Sequence, residues 1–350
     1  MSGGVSISSP QRGPVKRWKV SARLARRSFL VCVVVALAIL ALAVLALMTG
    51  SYQLTPLQVI SALSGGESGI VHEIVVEWRL PRVVAAIIFG AALGVSGAIF
   101  QSLLRNPLAD PGLIGFSDGS YTGALVVMLF INGTYLQLAA GALLGGMGTA
   151  VIVYLIAFRG GVQGFRLIIV GIGVSAMLAS TNTWLILKAD LNQAMSASAW
   201  NSGSLNGISW DQVLGGGTCV VLLLLLSLIL SRPMRQMELG DDLAASHGIR
   251  IGQTRLALIM VGVALTATVT AASGPIAFIA LVAPQIARRL TRTAGITLPP
   301  AALVGALLGL SADFAAQHAA PRPLPVGIIT VMVGGGYLAW LLFIEARRRP

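Results

Sequence analysis

Ten apolar runs of helical length, separated by short segments that carry most of the charge, decide what this chain can fold into. A hydrocarbon layer about 30 Å thick is crossed by about 20 residues of α-helix, the element that satisfies its own N–H and C=O groups where no water is present. The runs are 29–48, 82–104, 113–131, 135–158, 167–187, 212–231, 254–273, 275–290, 298–316 and 325–344. The eighth is short, which predicts a tilted or broken span. Pro56, Pro81, Pro107, Pro111, Pro233 and Pro299 fall between runs or at their starts, where a missing N–H is tolerated. Only 10% of residues are charged, against about 25% in a soluble domain, too few to coat a globule of this length. The 41 glycines suit closely packed helices. The expected fold is all-α and integral to the membrane, with about ten transmembrane helices.

A net charge of +12 would suit nucleic acid if the charge were clustered on a soluble face, but here it lies in short groups between spans. Ten spans put both termini on one side. If that side is the cytoplasm, it receives the seven basic residues from Arg12 to Arg27. It also receives Arg105, Arg159, Arg166, Arg232, Arg235, Arg250, Arg255, Arg288, Arg289, Arg292 and Arg347 to Arg349. Only Arg79, Arg82, Lys188 and Arg322 of the 24 basic residues fall outside, a strong positive-inside bias. The first run is too long for a signal peptide, and no small-residue cleavage site follows it before Tyr52. Residues 1–28 therefore read as a basic cytoplasmic tail, without order over 1–20, and 347–350 as a basic cytoplasmic end. Cys32 and Cys219 lie in apolar runs without metal-ligand spacing, and are expected to be thiols.

The pentapeptide Gly-Ala-Leu-Leu-Gly occurs at 141–145 and again at 305–309, in spans four and nine. If spans 2–5 recur as spans 7–10, an offset of five spans inverts the second copy. Each pentapeptide is also a small-residue packing face.

No motif carries covalent chemistry. His72, His247 and His318 are scattered, and no Gly precedes a Lys, so a phosphate-cradling loop is absent. Neither catalytic residues, nor a metal site, nor a cofactor is expected; any use of ATP would depend on a separate chain. Arg79 and Arg82 flank Pro81 at the outer mouth of span two. Asn106-Pro107 and Asp110-Pro111 break the chain before span three, and such backbone persists at membrane depth only where protein covers it or water reaches it. Residues 234–252 are long for a helix connection and predict a short amphipathic helix from Asp241 to His247, stopped by Gly248. Asp241 and Asp242 suit its N-terminal end. Ser175, Ser180, Thr181, Asn182 and Thr183 make span five unusually polar, fitting either helix–helix hydrogen bonds or a wet pathway. Asp313, near the end of span nine, is expected to be paired.

These segments resemble the FecCD/BtuC-type permease family, which imports ferric siderophores, haem and cobalamin through ATP-binding-cassette systems. The resemblance runs from about residue 30 to 346. It rests on Arg-Leu-Pro-Arg at 79–82, Gly-Val-Ser-Gly-Ala-Ile-Phe-Gln at 94–101, Arg-Asn-Pro-Leu-Ala at 105–109 and Trp-Asn-Ser-Gly-Ser-Leu at 200–205. It continues through Leu-Gly-Asp-Asp-Leu-Ala at 239–244, Gly-Pro-Ile-Ala-Phe-Ile-Ala-Leu-Val-Ala-Pro at 274–284 and Leu-Pro-Val-Gly at 324–327. Their order along ten spans is the specific signal.

The resemblance implies a type II ABC importer permease domain over 29–346, in the bacterial cytoplasmic membrane. It implies a second permease subunit around a central pathway, a cytoplasmic ATPase dimer and an extracytoplasmic substrate-binding protein. The segments are most similar to subunits of the ferric-enterobactin type, which form one half of a heterodimer. Carried onto this sequence, the family pattern implies docking of the binding protein at Arg79 and Arg82, with Arg322 as a further outer charge. It implies ATPase coupling through 232–253, at Leu239, Gly240, Asp241, Asp242, Ala245 and Gly248. It implies a pathway along Ser175, Ser180, Thr181, Asn182 and Thr183, and a structural role for Asn106, Pro107, Pro284 and Gln285. Two departures stand out. Gln285 occupies a position where the family usually has His, which argues for hydrogen bonding rather than proton or metal chemistry. Asp313 is followed by Gln317 where many relatives carry Arg. The cargo expected is a ferric siderophore, with haem or cobalamin as alternatives. An ion-coupled secondary transporter is a further alternative; it would call for an intramembrane acidic or His cluster, which the sequence does not display.

Overall fold

The computed structural model describes residues 16–348, apart from 67–68, 113, 132 and 158–163. Residues 1–15 of the expected tail, Arg159, and residues 349–350 lie outside the described residues. In chain order the helices are α1 (Lys16–Met48), α2 (Pro56–Leu63), α3 (Ile70–His72), α4 (Leu80–Leu104), α5 (Phe116–Val126), α6 (Tyr135–Ala157), α7 (Gly164–Lys188) and α8 (Leu191–Asn201). They continue as α9 (Trp210–Glu238), α10 (Asp241–Ser246), α11 (Ile251–Ser273), α12 (Ile279–Thr291), α13 (Leu298–His318) and α14 (Val326–Arg348). A π-helical stretch, Glu73–Arg79, leads into α4, and another, Val127–Ile131, extends α5.

All ten expected spans coincide with helices: α1, α4, α5, α6, α7, α9, α11, α12, α13 and α14. Seven of these segments are each long and apolar enough to cross a membrane unaided. The others are shorter in helix or in apolar length. α12 has only 13 residues, a rise of about 20 Å, short of the hydrocarbon thickness. Irregular chain at 274–278 precedes it, just as 105–112 and 114–115 precede α5. The eighth span is thus broken, as its length predicts, and the third is built in the same way. α1 begins at Lys16, earlier than the expected span and inside the expected tail. Residues 16–27 are rich in Lys, Arg, Ala and Leu and contain neither Gly nor Pro, so nothing stops the helix there. Cys32 and Cys219 are both free.

The packing pattern is the one a repeat of spans 2–5 as 7–10 predicts. Pairing spans 2–5 with 7–10 makes α4 equivalent to α11, α5 to α12, α6 to α13 and α7 to α14. α4 packs on α13, and α11 packs on α6; α5 packs on α6, and α12 on α13. α4 and α11 cross each other at the centre, where Ser96 Oγ donates to the Gly262 carbonyl at 2.7 Å and lies 2.8 Å from Thr266 Oγ1. Both are buried along most of their length, as helices apolar on every side should be, whereas α1, α7 and α9 present apolar faces outward. The two Gly-Ala-Leu-Leu-Gly copies line close helix contacts but not equivalent ones, the first meeting α5 and the second α4. Gly141 and Gly145 lie against Gly123 and Gly119 of α5, and Gly305 and Gly309 against Gly90, Gly94 and the Ala86 carbonyl of α4. Without side chains the backbones approach to van der Waals distance, the main source of helix association in lipid.

Candidate functional site

At one end of the bundle, the start of α4 forms a mouth. A cavity of ≈ 660 Å³ there is lined by Glu77, Trp78, Arg79, Arg82, Ser209 and Gln317, among others. Arg79 donates to the carbonyls of Leu47 at 2.7 Å and Tyr52 at 2.5 Å, closing the turn after α1. Arg82 grips Asp313 of α13 through two nitrogens. Nε lies 3.0 and 2.9 Å from the carboxylate oxygens, and Nη2 2.8 Å from Oδ1. Gln317, one turn further along α13, donates to Asp313 Oδ2 at 2.9 Å. Asp313 is 1% exposed and Arg82 14%. Both arginines are therefore engaged within the chain. Arg322, in the loop after α13, is exposed and has no ion pair among the described residues.

Deeper in the bundle the two irregular segments face each other across a cavity of ≈ 290 Å³, lined in part by Asp110, Pro111, Gly112, Pro275, Ile276 and Phe278. Asp110 and Pro111 are buried, so protein covers the backbone that helix geometry leaves unpaired. Asp110 Oδ1 accepts from the Gly112 amide at 2.6 Å, and Asn106 Oδ1 from the Leu108 amide at 2.9 Å. Phe278 adopts φ 68°, a left-handed conformation costly for a bulky residue, and packs on Gly334 of α14. Three sequence markers converge here. The Ser204 amide donates to the Ser273 carbonyl at 2.7 Å, and the Gly327 amide to the Gly203 carbonyl at 3.0 Å.

Gln285 forms the hydrogen-bonded link expected of an amide at its position. Its Nε2 donates to Gln101 Oε1 at 2.5 Å and to the Pro107 carbonyl at 3.3 Å, while Gln101 Nε2 donates to the Leu281 carbonyl at 2.9 Å. The end of α4, the break after it and α12 are thereby joined. Pro284 lacks the N–H that would bond the Ala280 carbonyl. That carbonyl lies against Gly97 of α4, where no side chain intervenes.

The polar residues of span five separate onto two faces of α7. Ser175 and Asn182 turn toward α5. Ser175 Oγ donates to Asp118 Oδ2, Asn182 Nδ2 donates to the Asp118 carbonyl at 3.3 Å, and Thr122 Oγ1 donates to Asn182 Oδ1 at 2.7 Å. Ser180, Thr181 and Thr183 are exposed, and their hydroxyls return to carbonyls of their own helix four residues back. Asp118 is the residue the sequence reading missed. An acid in the first turn of a short apolar helix was its available signal; its partners, 57 to 64 residues away, were not visible.

At the opposite end of the bundle, α10 spans Asp241–Ser246, one residue shorter than expected, with His247 as its C-cap. Gly240 at φ 127° and Gly248 at φ 80° make the turns on either side, conformations open to glycine. Ala244 is fully buried against the bundle, while Leu239, Asp242, Leu243 and Ala245 are exposed. Asp241 makes no capping hydrogen bond; its carboxylate pairs with Arg105 and Arg255.

The FecCD transport family model matches residues 37–343. The ferric enterobactin transport system permease protein FepG of Escherichia coli is 46% identical over 327 residues, covering 93% of this chain and 99% of the relative. The iron(3+)-hydroxamate import system permease protein FhuG of Bacillus subtilis is 36% identical, covering 84% of this chain and 90% of the relative. A solved metal-chelate type ABC transporter in an inward-facing conformation superposes with a TM-score of 0.79 at 26% identity, covering 90% of this chain and 99% of that one. With the bundle, its two broken spans and nearly its whole length accounted for in this way, the chain is a multi-pass membrane protein that belongs to the FecCD transport family.

Proposed function

We propose that this chain is the permease subunit of an ABC importer that carries a ferric siderophore across the bacterial cytoplasmic membrane. The observation that carries the reading is α10, a short helix at one end of the bundle whose Leu243 and Ala245, with Leu239 just before it, stay exposed among the described residues. Leu239, Leu243 and Ala245 lie close together in one exposed segment, and clustered apolar surface of this kind suits a protein partner. Near full-length similarity to FepG and FhuG supports ferric siderophore as cargo.

In this reading both termini and α10 face the cytoplasm, following the distribution of basic residues. An ATPase dimer seats on the exposed side of this segment, at Leu239, Asp242 and Ala245, with Gly240 and Gly248 shaping the turns and Asp241 turned back to the bundle; ATP is hydrolysed on that partner, not in this chain. A second, related but different permease subunit completes the pathway, on which Ser180, Thr181 and Thr183 open and which Ser175 and Asn182 set in place. The binding protein docks on the mouth. Arg322 supplies its free charge, and Arg79 and Arg82 hold the rim; a partner carboxylate reaching Arg82 competes with Asp313. Iron-chelate uptake in a deletion strain across a siderophore panel tests the reading. Loss of uptake of at least one ferric siderophore, restored by this chain, is expected; unaffected siderophore uptake with loss of haem or cobalamin uptake would overturn the cargo.

A further inference from the structure

The first residue of α10 is held from two directions. Asp241 Oδ1 accepts from Arg105 Nη2 at 3.1 Å, and Oδ2 accepts from Arg255 Nη2 at 2.9 Å. Arg105 immediately follows α4, and Arg255 stands near the start of α11. These are the equivalent central helices of the inverted repeat, one ending and one beginning at this face. One carboxylate thus spends one oxygen on each half of the fold.

Arg105 is itself fixed. Its backbone is left-handed, at φ 48°, and its Nη2 also donates to the Met237 carbonyl at 2.7 Å, at the end of α9. Ser102, one turn back, donates to Glu238 Oε1 at 2.6 Å. Gln101 beside it bonds Leu281 and Gln285 of α12. A contiguous run of polar contacts therefore leads from α10 through the last turn of α4 to the broken eighth span, and a second leads directly into α11. A helix-capping role does not account for this, because both oxygens of Asp241 point to guanidinium groups on other elements. Ion pairs this exposed hold little on a free surface, but a partner seated on α10 would exclude water and reduce screening.

We propose that Asp241 is the positioning residue through which α10 moves α4 and α11 together, so that a displacement imposed on α10 reaches both halves of the repeat. This rests on the reading of α10 as the surface on which the ATPase acts. Coupling of this kind needs contiguous contacts between elements that share two arrangements. It is distinct from docking, which uses the opposite, exposed side of the same helix.

The test uses the full complex in proteoliposomes: this chain, its permease partner, the ATPase and the binding protein. Three quantities are read: ATPase retention in pull-down, ATP hydrolysis stimulated by loaded binding protein, and siderophore imported per ATP. Asp241→Asn is expected to leave pull-down near wild type and to lower import per ATP by about tenfold, within the usual range of coupling between sites. Arg105→Ala and Arg255→Ala should each lower the same ratio by a smaller factor, and Asp241→Glu should recover most of it. Arg250→Ala, removing an exposed arginine of the same face, should keep the wild-type ratio. An unchanged ratio in Asp241→Asn, or a fall in import matched by the fall in pull-down, would overturn the proposal. A wild-type complex that imports nothing would overturn the functional reading itself, so the two failures are told apart.

Discussion

Asp313→Ala removes one side of the ion pair at the mouth and leaves the other in place. Arg82 would keep its charge, because guanidinium does not deprotonate in proteins. It would lose the three contacts of 2.8–3.0 Å that its Nε and Nη2 make with the carboxylate. Gln317 Nε2 would lose its acceptor as well. Asp313 is 1% exposed, while Arg82, at 14%, lines the mouth cavity, so water can replace only part of this. Breaking one partner of a buried pair costs about 3–5 kcal/mol, on the order of 10²–10⁴-fold in the folding equilibrium. Replacing both partners with apolar side chains of similar size, Arg82→Met with Asp313→Leu, should cost far less, because no uncompensated charge remains. The assay is unfolding of the detergent-solubilised chain in increasing denaturing detergent, followed by tryptophan fluorescence, for both single variants and the double. A cost below about 1 kcal/mol for Asp313→Ala, the size of an exposed pair, would refute the argument. So would a double variant as unstable as the worse single one.

Three further outcomes follow from the same structure. A cysteine placed at Asn206 should react with an impermeant reagent added outside intact cells, and one at Ala294 should not; the reverse labelling would invert the assigned orientation. Ala245→Trp should place a bulky ring on the exposed face of α10 and reduce both ATPase pull-down and stimulated hydrolysis, with insertion unchanged; normal uptake in this variant would remove α10 from the mechanism. Gln285→Leu should strip Gln101 Oε1 of its donor at a site 2% exposed, costing about 1–3 kcal/mol; stability indistinguishable from wild type in the same detergent assay would show that the link between α4 and α12 is not needed.

Much of the fold was legible because membrane helices announce themselves by length and apolarity alone. The ten spans, the short eighth one and α10 with its flanking glycines followed from residues close together in sequence, and the hydrogen-bonding character of Gln285 from the family resemblance. The π-helical stretches at 73–79 and 127–131 did not, since a run of five to seven residues is too short to show a period different from that of the α-helices it joins. Nor did the left-handed Phe278, a conformation that local preference disfavours and whose side chain packs against Gly334, 56 residues on. Pairs such as Arg82 with Asp313, 231 residues apart, depend on which helices cross and at what height. Periodicity tells which face of a helix a residue occupies but not what lies opposite, so Ser175 and Asn182 could not be separated by partner from Ser180, Thr181 and Thr183. Asp118 went unnoticed for the same reason. A repeat was hinted at by one pentapeptide shared by α6 and α13, but its copies pack on non-equivalent helices, and the pattern of helix packing carries the repeat instead.

The claim at the centre of this account is that transport through this chain is driven by ATP hydrolysed on a separate partner. It is tested most directly in vesicles carrying this chain with its permease partner and ATPase, supplied with ATP on the α10 side and with radio-iron siderophore and binding protein on the other. Accumulation of iron that requires hydrolysable ATP, and that disappears when the ATPase is omitted, is the predicted result. Accumulation driven by a proton gradient without ATP, or by this chain alone, would contradict it.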